Sequence, residues 1–161
     1  MRRTILLAGT ATLLVAIIFY PGERNVTAQT SNQAATTDLR SQIALTDSEI
    51  AFIRHEMRGL LESIRDILEA AQTGDHARIA AAARRSGMNG PEAAHIPKSL
   101  ASKLPPEFKK LGLATHRGFD QIALDAEQIG AADLTVKELG HLMENCVACH
   151  ATWRLVDESK R

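Results

Sequence analysis

Residues 135–154 read TVKELGHLMENCVACHATWR. Within them Val136, Leu139, Met143, Cys146, His150 and Trp153 recur at steps of 3, 4, 3, 4 and 3. That is the period of one face of a helix, not the alternation of a strand. Thr135-Val136-Lys137-Glu138 has the form of a capping box, a hydroxyl residue followed three positions on by a carboxylate. The pattern therefore predicts a last helix that starts at Thr135 and carries its apolar stripe through Trp153.

The same grammar recurs upstream. Thr46-Asp47-Ser48-Glu49 is another capping box, and behind it Ile50, Ile53, Met57, Leu60, Ile64 and Ile67 repeat the 3, 4, 3, 4, 3 spacing. Gly74 suits the C-terminus of that helix. Asp75 can cap a second helix from His76 to about Ser86, almost all alanine between arginines, with Gly87 as its stop. Its small-residue face permits close approach of another surface. From Gly87 to Pro105 the chain is irregular, broken by Pro91, Pro97 and Pro105, with one helical turn from Pro97 through Leu104. Pro106 suits the first turn of a third helix, striped by Phe108, Leu111, Thr115, Ile122, Ala126 and Ile129 and ended by Gly130. No segment shows sustained strand alternation. Four amphipathic helices with mostly short connections predict an all-α fold, an antiparallel four-helix bundle.

The chain has 161 residues, 45% apolar and 24% charged, with 19 basic and 19 acidic side chains. A balanced charge at this apolar content excludes intrinsic disorder. It also lacks the basic excess of a nucleic-acid binder, so no nucleic-acid partner is expected. Two cysteines are too few for a disulfide-stapled mini-domain. At the N-terminus Arg2 and Arg3 precede an apolar run from Ile5 to Tyr20, and Val26-Thr27-Ala28 offers a cleavage site after Ala28. That order is a secretory signal, so residues 1–28 are expected to export the domain. Retained rather than cleaved, the same leader would be a membrane anchor. Residues 29–45, rich in Thr, Ser, Asn and Gln, are expected to be a flexible lead-in; residues 46–156 form the bundle and 157–161 a polar tail. Beyond the leader the only aromatics are Phe52, Phe108, Phe119 and Trp153. So poor a supply of bulky core material suggests an interior filled partly by something other than protein.

Cys146-Val147-Ala148-Cys149-His150 is C-x-x-C-H, the attachment signature of c-type haem. Helical residues three and four apart are neighbours, so both thiols can reach the two vinyl groups along one porphyrin edge. The imidazole of His150 then lies on the proximal side of the iron. Three other uses of the cysteines compete. A Cys146–Cys149 disulfide inside a helix would be strained. A thioredoxin-type pair needs a βαβ context. A structural zinc site needs a second ligand pair. One haem c, covalent through Cys146 and Cys149, is the cofactor expected.

On these residues the chain resembles the class II c-type cytochromes, the family of cytochrome c′. Those are four-helix bundles with C-x-x-C-H on the last helix, usually continued as His-x-x-aromatic-Arg; here it reads His150-Ala151-Thr152-Trp153-Arg154. The resemblance covers roughly Ser48 to Leu155, and is only architectural outside the C-terminal motif. It implies that the first helix meets the distal face of the iron, where low-spin members place a methionine shortly after an arginine. Met57 follows Arg54, at a spacing of three where the family usually has four. By this resemblance Met57 is the sixth ligand, Arg54 faces a propionate, and Arg154 belongs to the haem site. A plain core methionine is the alternative for Met57.

Other donors fit less well. His55 points away from the stripe. His116 lies one position from the third helix's stripe and could flank the haem. Met88 and His95 fall in the long loop, Met143 reads as core, and His76 and His141 as surface. The function these residues imply is that of an exported, periplasmic monohaem electron carrier with His150/Met57 ligation, partnered by redox proteins. A five-coordinate haem protein binding nitric oxide or carbon monoxide is the alternative. An enzyme would need an acid–base residue in a polar distal pocket, and only His116 and His55 are candidates, so no enzymatic activity is expected. Lys98, Lys103, Lys109, Lys110 and Arg117 read either as a docking patch for an acidic redox partner or as a solvated face. Family members often pair through their first two helices, so a homodimer is compatible with the sequence.

Overall fold

The computed structural model describes residues 37–91 and 96–160. The expected leader, most of the lead-in and His95 lie outside the described residues. The chain order is β1 (Ser41–Leu45), α1 (Asp47–Thr73), α2 (His76–Arg85), α3 (Lys98–Lys103), α4 (Pro106–Gln128), α5 (Ala132–Thr152) and β2 (Trp153–Asp157), followed by a 3₁₀ turn over Glu158–Lys160.

Local chemistry sets the helix ends. The Thr46 hydroxyl accepts from the Glu49 N–H at 3.2 Å, and the Thr46 N–H donates to Glu49 Oε2 at 3.0 Å. This reciprocal box starts α1. Gly74 ends it in the left-handed region at φ 65°, where a side chain would be strained. Asp75 accepts from the Arg78 N–H and opens α2. Pro106 occupies the first turn of α4, where its missing N–H costs nothing.

Helix α1 packs against α2 and α5, and α4 packs against the same two. Their interface holds one apolar cluster that includes Leu60, Ile67, Ile79, Phe119, Ile122 and Leu139. The alanines of α2 belong to it: Ala80, Ala82 and Ala83 are buried inside the chain. The small-residue face is thus used internally. A second cluster gathers Ile43, Leu45, Ile50, Ile53, Leu100 and Leu104, with Trp153 and Phe108 packed edge-on at a ring separation of 5.6 Å. Among the described residues no helix is long and apolar enough to cross a membrane.

Several expectations need correction. Residues 41–45 are not flexible lead-in but a strand, paired in parallel with β2 from Ser41↔Trp153 to Leu45↔Asp157. Trp153 is therefore a strand residue, not the end of the α5 stripe. Thr135 does not cap α5. The helix starts at Ala132, and the Thr135 hydroxyl, buried, bonds back to the Ala131 carbonyl at 3.3 Å. The buried line of α5 runs through Thr135, Leu139 and Leu142, which leaves Val136 and Met143 half-exposed. Met143 is accordingly not core. Ile129 lies just past the end of α4 and is exposed, whereas Phe119 on α4 is fully buried. The polar tail is tied down, since Lys103 Nζ bridges Glu49 and Glu158 at 2.8 Å each.

Candidate functional site

Between the two apolar clusters lies a cavity of about 240 Å³. Cys146, Cys149 and His150 enter its wall from α5, and Met57 enters from α1. The helical period explains the first three. Positions 146, 149 and 150 share one face, and that face follows Thr135, Leu139 and Leu142 toward the interior. Apolar side chains complete most of the wall, Phe52, Leu60, Leu100, Leu104 and Phe108 among them.

Both thiols are half-buried and free, and burial pushes both pKa values up. Neither cysteine is therefore an activated thiolate. Among the described residues no group of three or more His, Cys, Asp and Glu side chains converges as a bare metal site would require. Two thiols three residues apart with an imidazole beside them, on an apolar wall, are a donor set that could hold a haem covalently. His150 also lines the cavity but is exposed as a residue, and its carbonyl accepts from Arg40 Nη1 at 3.2 Å. Met57 is 38% exposed.

Of the residues expected at the site, Cys146, Cys149, His150 and Met57 line this one cavity, and Arg54 and Arg154 do not. Arg54 is exposed on α1. Arg154 sits in β2 with its Nε 3.6 Å from Asp38 Oδ2, because the helix ends at Thr152 and the strand carries the residue away. The weaker candidates also sort out. His116 and Met88 line the cavity, whereas His55 is exposed.

Glu56 is the residue that sequence reasoning missed. It lines the cavity beside Met57, with a side chain only 12% exposed. His116 Nδ1 donates to the Ser86 carbonyl at 2.8 Å, which turns Nε2 toward Glu56 Oε1 at 3.5 Å. The Glu56 carboxylate, chiefly, raises the His116 pKa, with the Ser86 carbonyl adding to it against the cost of burial. Glu56 Oε1 is itself buried without a hydrogen-bond donor. A carboxylate one position off an apolar stripe reads as solvent-facing in a sequence, so nothing there flagged it. No family model, curated protein or solved structure matches the chain.

Proposed function

We propose that the chain is an exported monohaem c-type cytochrome that carries electrons, a four-helix bundle of the class II kind built from α1, α2, α4 and α5. The observation that carries this reading is that one largely apolar cavity is lined by both cysteines of the C-x-x-C-H motif, by the histidine that follows, and by Met57 from the neighbouring helix α1. Cys146 and Cys149 would hold the haem through thioether bonds, and His150 and Met57 would be the side chains offered to its iron. Bound haem would supply a one-electron iron couple, whose potential methionine ligation raises. Phe52, Leu104 and Phe108 make much of the cavity wall apolar.

The test is an optical spectrum of protein matured in a host that has haem-ligation machinery. The expected ferric form is low-spin, with the weak long-wavelength band of a sulfur–iron bond. Met57→Ala removes that band and opens the iron to carbon monoxide. Colourless protein whose two thiols still alkylate would overturn the proposal.

One observation favours a second reading. Glu56 and His116 make a polar stretch in the cavity wall beside a half-exposed Met57. The polarity of the distal pocket decides between electron transfer and ligand binding. A high-spin ferric wild type that binds nitric oxide or carbon monoxide would select a five-coordinate gas-binding protein.

A further inference from the structure

The cationic run over α3 and α4 separates, in the fold, into a part that is neutralised and a part that is not. Lys103 is held between Glu49 and Glu158 and offers no free charge. Lys109, Lys110 and Arg117 are all exposed, and none has an acidic partner within ion-pair distance among the described residues. Glu107, one turn from Lys110, makes no ion pair with it. These three cations surround a shallow surface hollow whose floor is Pro106, Leu113 and Ala114. Leu113 is 43% exposed at its centre. Lys109 and Leu113 line both this hollow and the cavity that holds Cys146 and Cys149. The patch is therefore continuous with the rim of the proposed haem site.

An exposed apolar side chain ringed by uncompensated cations has the anatomy of a small docking surface, apolar at the centre and charged at the rim. We propose that the α4 face formed by Lys109, Lys110, Leu113 and Arg117 docks an acidic surface of a partner protein at the rim of the cavity. The occupant is argued from charge: the three cations have no counter-charge among the described residues, so a complementary partner must be negative. Its use in electron transfer rests on the proposed function, but the docking itself does not require haem.

The probe is poly-L-glutamate, titrated into the isotope-labelled full chain and followed by amide chemical shifts. Shift changes should cluster on residues 106–117, and affinity should fall about tenfold or more between low and physiological salt. Lys110→Glu/Arg117→Glu, neither of which lines the cavity, should abolish those changes. Lys137→Gln, an exposed cation on α5, should leave them intact. Shifts spread over the surface, or unchanged in the double variant, would overturn the proposal. So would binding to vesicles of anionic lipid with none to poly-L-glutamate, or a dimer that the double variant dissolves. Coloured protein without poly-L-glutamate binding defeats the docking surface alone; colourless protein that binds defeats the haem proposal alone.

Discussion

Glu138 on α5 faces Asp125 on α4, and neither carboxylate brings a donor to the other. Glu138 Oε2 is buried without a hydrogen-bond partner, while Asp125 already accepts from Gln121 Nε2 at 3.0 Å. A proton held on Glu138 resolves the conflict. Burial, then the hydrogen bond to Asp125, raises the Glu138 pKa to about 7, and the same bond lowers that of Asp125. Because the folded pKa lies above that of the unfolded chain, this site's stabilisation is complete below about pH 4.5 and is lost as pH rises through about 7. Glu138→Gln keeps a donor toward Asp125 but cannot ionise. Thermal melts at pH 5 and pH 8 should show the variant losing less stability than the wild type, with a difference on the order of 1–2 kcal/mol after solvent screening. Equal losses in the two proteins would mean that the two carboxylates do not share a proton.

At the scale of elements, the strand pair is the least expected feature and the easiest to probe. β1 and β2 come from opposite ends of the described chain and run parallel, so every helix lies in the crossover between them. Two strands alone are marginal. Here Ile43 and Leu45 are buried beneath Leu100 and Leu104, which makes the pair part of a core. Leu45, with no exposed area, should cost about 2–5 kcal/mol as Leu45→Ala by denaturant titration. A cost near zero would mean that β1 is peripheral. The helix starts and stops were legible because each is written in local chemistry: Thr46 with Glu49, Gly74, Asp75 and Pro106. The strand was not, because SQIAL has only two residues on its buried face and its partner lies some hundred positions away, beyond any local turn signal. Thr135 misled for a related reason. A hydroxyl three residues before a carboxylate also occurs inside a first turn, where the hydroxyl bonds back to a carbonyl instead. The candidate site divides the same way. The cysteine–histidine motif and Met57 follow from spacing along single helices, whereas the approach of Glu56 to His116 depends on how α1 and α4 pack.

For the whole molecule, the cavity is lined from both apolar cores. Its wall takes Leu60 from the cluster between the helices, and Ile53, Leu100 and Leu104 from the cluster under the strands. An occupant in contact with both makes them open together, since anything bound only to the native state stabilises that state as a unit. Without it each cluster opens at its own free energy, and the smaller one, which contains the chain-end strands, should open first. Native-state amide exchange reads this directly. In a Cys146→Ser/Cys149→Ser protein, Ile43 and Leu45 should exchange at least about tenfold faster than Ile79 and Phe119, whereas in coloured wild-type protein the two groups should converge on one opening free energy. The double serine variant would lose the proposed haem attachment, and neither cysteine belongs to either apolar cluster. Slower strand exchange on haem loading, with the helical amides little changed, therefore reports coupling through the cavity rather than repair of a damaged core. Strand amides as slow in the colourless variant as in the coloured protein would show that the two clusters are already one cooperative unit, with the cavity dispensable to their union.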